Sequence, residues 1–313
     1  PIFASSAETA THALDFTYTV NETASVVLSI TSSDSSLIND STISIAGSGS
    51  NIYTYTTSAN AVETVSIEYT PVANAHGRVT LTVSASANGE VSTQTYAVIV
   101  SPPGSGNGLN FDGVDDYIDL PDNVWFNGDF TVESWVYLKS YSDWCRLIDI
   151  GIGQPSDNII IVLSSATSGK PCFDIFNGAT GTSVSSPEQI PLNQWVHIAA
   201  TSSGSVGKLY INGYLVGTNN SMNQATNVLR TNAYIAKSYW TDPSTNAAFD
   251  ELRIWNLART EDQIHSGMCK KLRGDETGLL AYYRFDHSSG TTLTDLTGNG
   301  YDGILTNMTD SDW

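Results

Sequence analysis

Residues 110–120 read NFDGVDDYIDL, and four of the eleven are aspartates: Asp112, Asp115, Asp116 and Asp119. Carboxylates this close repel one another, while Phe111, Val114, Tyr117, Ile118 and Leu120 between them ask for a core. A hard divalent cation is the chemistry that cancels such charge, because it takes oxygens from carboxylates, backbone carbonyls and water. The competing reading leaves all four aspartates in solvent. It is the expectation for Asp119, which alternates with Ile118 and Leu120. Two other stretches, KSYSDW at 139–144 and KSYWTDPSTN at 237–246, mix aromatic rings with hydroxyls, amides and acids. Rings of this kind stack on apolar C–H faces of sugars, while amides and carboxylates bond the hydroxyls. Tyr141, Trp144, Tyr239, Trp240 and Asp242 are the candidate ligand-binding residues. The bland alternative is that these rings plug the ends of the fold.

The whole chain has the same electrostatic bias. It carries 13 Lys+Arg against 32 Asp+Glu, a net charge of −19, which disfavours nucleic acid and anionic membranes as partners. No apolar run reaches the ~18 residues of a membrane helix, so no membrane insertion is expected. There is neither an initiator methionine nor a signal peptide, and the chain reads as a piece excised from a longer exported protein. Further domains of that same long chain are then expected partners. Cys145, Cys172 and Cys269 are too few and too odd in number for a disulfide framework. Cys145 and Cys172 flank the strand-like NIIIVLS, which puts them two strands, about 9–10 Å, apart. A disulfide needs Cα atoms within about 7 Å, so all three read as thiols.

The elements that would position these residues are strands. Val, Ile, Thr and Tyr alternate between turn residues throughout, an all-β pattern. Residues 1–101 hold seven such runs, among them ASVVLSI, NIYTYTT and GRVTLTVSAS, with no tryptophan or cysteine, as in a β-sandwich without an antibody-type pin. SPPGSGNG, at 101–108, is a linker rich in breakers, so the expected boundaries are 1–101, a linker at 102–108, and 109–313. All seven tryptophans follow the linker. The second unit offers ten strand candidates, then the chain's one good helix pattern, RTEDQIHSGMCKK. Thr260 can cap that helix, with Glu261 and Asp262 in its first turn and Lys270 and Lys271 in its last.

The first hundred residues resemble the tandem cadherin-like or immunoglobulin-like repeats of large bacterial surface proteins. The ordered motifs LNFDGVDDYIDLP, FTVESWVYL, QWVHIAAT, GKLYINGYLVG and FDELRIWNLART resemble the laminin-G-like, concanavalin-A-like jelly roll of secreted and surface proteins. That resemblance implies a two-sheet all-β sandwich, an extracellular setting and often calcium. In a jelly roll the first strand lies near the last, so Asp112 and Asp250 are expected to share one calcium ion. Gly113 would allow a turn that aims a carbonyl inward, and Asp115 and Asp116 are secondary ligands. DLTGNGYDG, at 295–303, offers oxygens at similar spacing but lacks the EF-hand pattern and reads as a Gly-rich turn.

Some folds of this resemblance are enzymes. The E-x-D-x-x-E strand of the retaining laminarinase-type glycosidases, which sets two carboxylates at the spacing retention needs, does not occur. The DELR and QIH strings, reminiscent of alginate lyases, lie too close together, and QIH falls in the helix. No G-x-S-x-G marks a nucleophile. The sequence therefore reads as a non-catalytic binding module for a glycan or cell-surface ligand within an adhesin. A passive structural or protein-interaction segment is the alternative. The tail from 278 is expected to fold back, burying Leu280 or Phe285 and adding Ile304 and Leu305 to the core, with NMTDSDW loose.

Overall fold

A computed structural model describes residues 2–5, 12–73, 75, 77–101 and 108–313. The expected linker at 102–108 lies outside the described residues except for Gly108. By packing, the chain divides into residues 1–105 and 106–313.

The first unit contains β1 (Ile2–Ser5), β2 (His12–Thr19), β3 (Ala24–Ser32), β4 (Ser44–Ile45), β5 (Ile52–Thr57), β6 (Val62–Tyr69), β7 (Gly77–Ala87) and β8 (Glu90–Ser101). They form a sheet of order β1-β8-β7-β3-β5 and a smaller one, β2-β6-β4. Alternation decides which side is wet: Val26, Leu28 and Ile30 are buried along β3, while Ser25 and Val27 are exposed and Ser29 is half-buried. Those residues meet Phe16, Val65, Ile67 and Tyr69 from the other sheet in one core. This is the two-sheet sandwich that the alternation predicts.

The second unit contains β9 (Leu109–Asp112), β10 (Tyr117–Asp119), β11 (Phe130–Leu138), β12 (Cys145–Gly151), β13 (Ile159–Ser164), β14 (Cys172–Asn177), β15 (Thr180–Ser185) and β16 (Trp195–Ser203). It continues through β17 (Val206–Ile211), β18 (Tyr214–Asn219), β19 (Asn232–Ile235), β20 (Asn246–Trp255), α1 (Glu261–Gly267), β21 (Leu279–Tyr283), β22 (Thr292–Leu293) and β23 (Gly303–Thr306). One sheet runs β15-β14-β13-β12-β19-β10-β23-β22, the other β18-β17-β16-β11-β20-β21, with β9 also paired to β20.

Register in the first of these sheets explains the site described below. One rung, Leu305, Ile118, Ile235, Ile148, Ile161, Phe173 and Val184, runs across seven strands and is buried. The adjacent rung is Ile304, Asp119, Tyr234, Asp149, Ile160, Asp174 and Ser183. Successive residues of a strand face opposite sides, so this second rung lies on the outer face. An apolar layer between the sheets thus forces three carboxylates onto one outer surface.

The tail belongs to this unit. Phe285 and Leu305 are buried, and β23 inserts beside β10. Two details differ from the sequence reading. Ile304 is 54% exposed because it shares the outer rung with Asp119. The last residues are tied rather than loose: Asp310–Asp312 form a 3-10 turn capped by Thr309, and Trp313 Nε1 donates to Gly290 O at 3.0 Å. Helix α1 has the expected Thr260 cap, completed by Gln263 as a capping box, but ends at Gly267, before the lysines. Trp135 and Trp255 are core residues, whereas Trp195 is half-buried against Tyr137. Cys145 and Cys172 sit on β12 and β14 with β13 between them, and all three cysteines are buried thiols outside any disulfide.

Candidate functional site

The outer rung opens into a groove of about 530 Å³. Its floor comes from three neighbouring strands: Ile160 of β13, Cys172 and Asp174 of β14, and Ser183 and Ser185 of β15. Its walls are Trp144 and Arg146 on one chain segment, Trp240 and Asp242 on another, and Phe176. Trp240 packs on Phe176 with ring centroids 6.1 Å apart, over the apolar patch of Ile160, Val162 and Cys172.

Two sequence segments hold these walls. Residues 237–245 are bound to β12 by reciprocal bonds, in which Arg146 N donates to Thr245 Oγ1 at 2.9 Å and Thr245 Oγ1 donates to Arg146 O at 2.8 Å. Inside that loop, Ser238 Oγ donates to Asp242 Oδ2 at 2.7 Å and accepts from Trp240 N at 3.0 Å. Trp144 has φ of 54° and is 38% exposed. A bulky side chain in the left-handed region is a backbone outlier, of a kind that gathers at ligand clamps.

The electrostatics centre on Arg146, which is 5% exposed. Its Nη2 donates to Asp242 Oδ2 at 2.8 Å, its Nη1 donates to Trp144 O, and its Nε lies 3.6 Å from Asp149 Oδ2. The guanidinium carbon stands 5.7 Å from the centre of the Trp240 ring. Asp174 lies nearby with Oδ1 buried and unpartnered. Burial pushes its carboxyl above the usual range, against the pull of Ser183 and Arg146.

Of the five predicted ligand-binding residues, Trp144, Trp240 and Asp242 line this groove together. Tyr141 does not line it: its hydroxyl donates to Ile190 O at 2.7 Å, and its ring presses on Gly169, where a Cβ would stand 2.4 Å from it. Gly169 has φ of 67°, so only glycine suits both the turn and the contact. Tyr239 is exposed and lies outside the groove, and its backbone N–H donates to Asp149. Arg146, Asp174 and Phe176 were not predicted. A second groove, of about 510 Å³, opens on the first unit along Tyr18, Val91 and several threonines. No ion pair or exposed ring pair is described in it.

The aspartate stretch forms a separate cluster. Ligand oxygens of Asp112, Asp115 and Asp116 lie within 4.8 Å of one another, the first two residues exposed and the third buried. Asp112 N donates to Asp116 Oδ2 at 3.0 Å. Burial pushes Asp116 up to about 6, helped by the charges of Asp112, Asp312 and Asp115. Gly113 makes the expected tight turn, with φ of 80°, and packs so closely on Asn246 that a Cβ would sit 2.8 Å from that residue's Cβ. Asp119 is exposed, as expected.

Asp250 is not part of this cluster, and the expected Asp112–Asp250 pairing is corrected by strand register. Asp112 stands opposite Asn246 on β20, and the antiparallel pairing runs from there to Leu109 opposite Phe249. Asp250 is therefore four residues, roughly 13 Å, along the strand from Asp112's partner. Its electrostatic neighbours are Glu251, Asp286 and Lys271. Burial, with Glu251 and Asp286 beside it, pushes Asp250 up to about 8.

A carboxyl whose pKa is raised on folding contributes stability that is present below 3.8 and lost as pH rises through about 8. Asp250→Asn stays neutral throughout. Its melting temperature relative to the parent chain is expected to increase between about pH 5 and about pH 9. An unchanged difference across melting curves at these two pH values would show that Asp250 ionises freely.

The other buried acids are committed to structure. Glu133 is wholly buried among Arg253, Arg259, Trp255 and His197. Glu251 has φ of 53° where Glu251 and Leu252 oppose the single Ser134 in a bulge, and it accepts from Tyr282 Oη at 2.6 Å and Arg253 Nη2 at 2.7 Å. The QIH string lies on α1, away from the DELR strand in secondary structure. In DLTGNGYDG, Asp295 is spent on the turn, accepting from Tyr282 N, Thr297 N and Tyr301 N.

Residues 112–265 match the Laminin_G_3 family model, described as the concanavalin A-like lectin/glucanases superfamily. The match covers the segment that carries the groove. No curated protein matches the chain in sequence. Several solved structures are similar to the chain at low identity. A Bacteroides ovatus protein assigned as carbohydrate-binding is 15% identical, with 98% of this chain and 94% of that one covered and a TM-score of 0.49. A native heptameric SAP-like pentraxin from Limulus polyphemus is 17% identical over 52% of this chain and 81% of its own, at 0.42. Domain 4 of an extracellular arabinanase from Geobacillus stearothermophilus, in complex with arabinotriose, is 22% identical over 50% and 73%, at 0.45. Among the described residues no helix is long and apolar enough to cross a membrane.

Proposed function

We propose that the second unit is an extracellular, non-catalytic module that binds glycan in the groove between Trp144, Phe176 and Trp240. The observation that carries this reading is the pairing of aromatic walls, Trp144 exposed and Phe176 and Trp240 half-buried, with carboxylate and hydroxyl groups, in a groove whose 237–245 wall is tied by bonds within the protein. Rings supply faces for sugar C–H groups, and Asp174, Asp242, Ser183 and Ser185 supply partners for hydroxyls. The first unit, resembling a cadherin-like or immunoglobulin-like repeat, serves as a spacer in a longer surface protein or adhesin. A glycan array probed with the whole chain tests the reading. Specific binding supports it, and a blank array with a folded chain favours a passive structural segment.

The proposal includes calcium at Asp112, Asp115 and Asp116. Three hard oxygen donors within 4.8 Å fit such an ion, and the repulsion that adds to burial in raising Asp116 is what a cation relieves. An ion that binds only the folded state stabilises by mass action. Calcium is therefore expected to raise the melting temperature of chelator-treated protein. Asp112→Ala and Asp116→Ala should each remove that gain, and Asp250→Ala should retain it. A melting temperature indifferent to calcium would leave the cluster as acids that hold no ion.

A further inference from the structure

We infer that the groove selects uncharged glycans and rejects sugars bearing carboxylate, sulfate or phosphate. This inference rests on the glycan reading above and adds the chemical class of the ligand.

Among the described residues, Arg146 is the only cationic side chain lining the groove. An arginine recognises an anionic sugar by presenting its planar fork of N–H groups to the acid. Here both terminal nitrogens of the fork are already hydrogen-bonded within the protein, and Nε is ion-paired at 3.6 Å. Asp242 takes Nη2, the carbonyl of Trp144 takes Nη1, Asp149 faces Nε, and Trp240 stands beside the guanidinium. Asp242 is itself held in place by Ser238, and Asp149 by Asn158 at 2.8 Å and by Tyr239 N. A ligand carboxylate would have to displace one of these anchored acids.

Two buried atoms of the groove residues lack a hydrogen bond: Arg146 Nε, which Asp149 faces as an ion pair, and an acceptor on Asp174 that no cation pairs. Oδ1 of Asp174 is buried without a partner on the floor, beside Ser183 and Ser185. Sugar hydroxyls donate to such an oxygen, whereas an acidic substituent brings only further acceptors and a like charge. Three carboxylates face one neutralised guanidinium, so an incoming anion meets repulsion in a partly desolvated groove.

The test is an array of matched oligosaccharides that differ only in one acidic group, such as lactose beside 3′-O-sulfolactose and methyl-esterified oligogalacturonides beside their free acids. Calorimetric titration follows for any pair that binds. The expected result is binding by the neutral member, with its acidic counterpart weaker by about tenfold or more. In Asp242→Asn, which frees one edge of Arg146, the ratio of acidic to neutral affinity should rise. Asp174→Asn, which breaks no ion pair, should raise the same ratio if the first variant fails to fold. Equal or tighter binding of the acidic member by the parent chain overturns the inference and leaves the glycan reading standing. A blank array on folded protein overturns the glycan reading, and this inference with it.

Discussion

Glu133→Ala is expected to destabilise the second unit by about 3–5 kcal/mol, because it leaves buried cationic groups without their counter-ion. Glu133 is fully buried, and its Oε1 accepts from Arg259 Nη1 at 2.5 Å and Trp255 Nε1 at 3.0 Å, with Arg253 Nη1 at 3.6 Å. Arg253 is 1% exposed, so water cannot replace the lost carboxylate. Burial alone would raise Glu133, but Arg253, Arg259 and His197 overcome it and hold the carboxyl below its usual range. Such a group contributes stability that is present above its unfolded pKa and lost as pH falls through the folded value. His197 adds to the same acid sensitivity. Burial drives its imidazole down to about 4, so protonation between that value and 6.5 favours the unfolded chain. Denaturant unfolding followed by tryptophan fluorescence reports on this unit alone, since all seven tryptophans lie in it. A loss below about 1 kcal/mol would contradict the network's role.

The fold was legible wherever side chains alternate. Phe173 and Ile175 are buried on β14, as the alternation of CFDIF implies. The same alternation contained a signal for the groove that was easy to pass over. Asp174 sits between Phe173 and Ile175, and Asp149 between Ile148 and Ile150, so each acid was already marked as outward-facing. What the sequence did not carry was the cross-strand register that aligns them in one rung with Ile160 and Ser183. Trp144, Trp240 and Asp242, which line the groove, stand out in the sequence because polar loops with large rings lie between strands. Tyr141 has the same local setting, and only its packing against Gly169 and Ile190 separates it from them. Asp250 was joined to Asp112 by chain topology alone. The strands do lie side by side, but antiparallel pairing places Asn246 opposite Asp112. Arg146 was hidden in CRLIDIG, where the irregular pairing of β12 with β13 on either side of it obscures its face.

Trp240→Ala is expected to weaken glycan binding by about thirtyfold, the effect of losing some 2 kcal/mol at an aromatic hot spot. Trp240 is half-buried, with Phe176 against it and Arg146 beside it, so its ring is already ordered before a ligand arrives. A ring held in this way loses little entropy on binding, which is where a preorganised site gains affinity. The backbone around it is tied by Ser238 and Thr245 rather than by the indole, so truncation should spare the loop. Removing an indole that covers Ile160 and Cys172 also exposes apolar floor, so the melting temperature should fall modestly while the fold persists. The decisive measurement is a calorimetric titration of one array-positive oligosaccharide into the parent chain and into Trp240→Ala, each first shown to be folded by its melting curve. Measurable binding by the parent, reduced at least tenfold in the variant, is the predicted result. Equal affinity in the two chains would contradict the assignment of this groove as the glycan site.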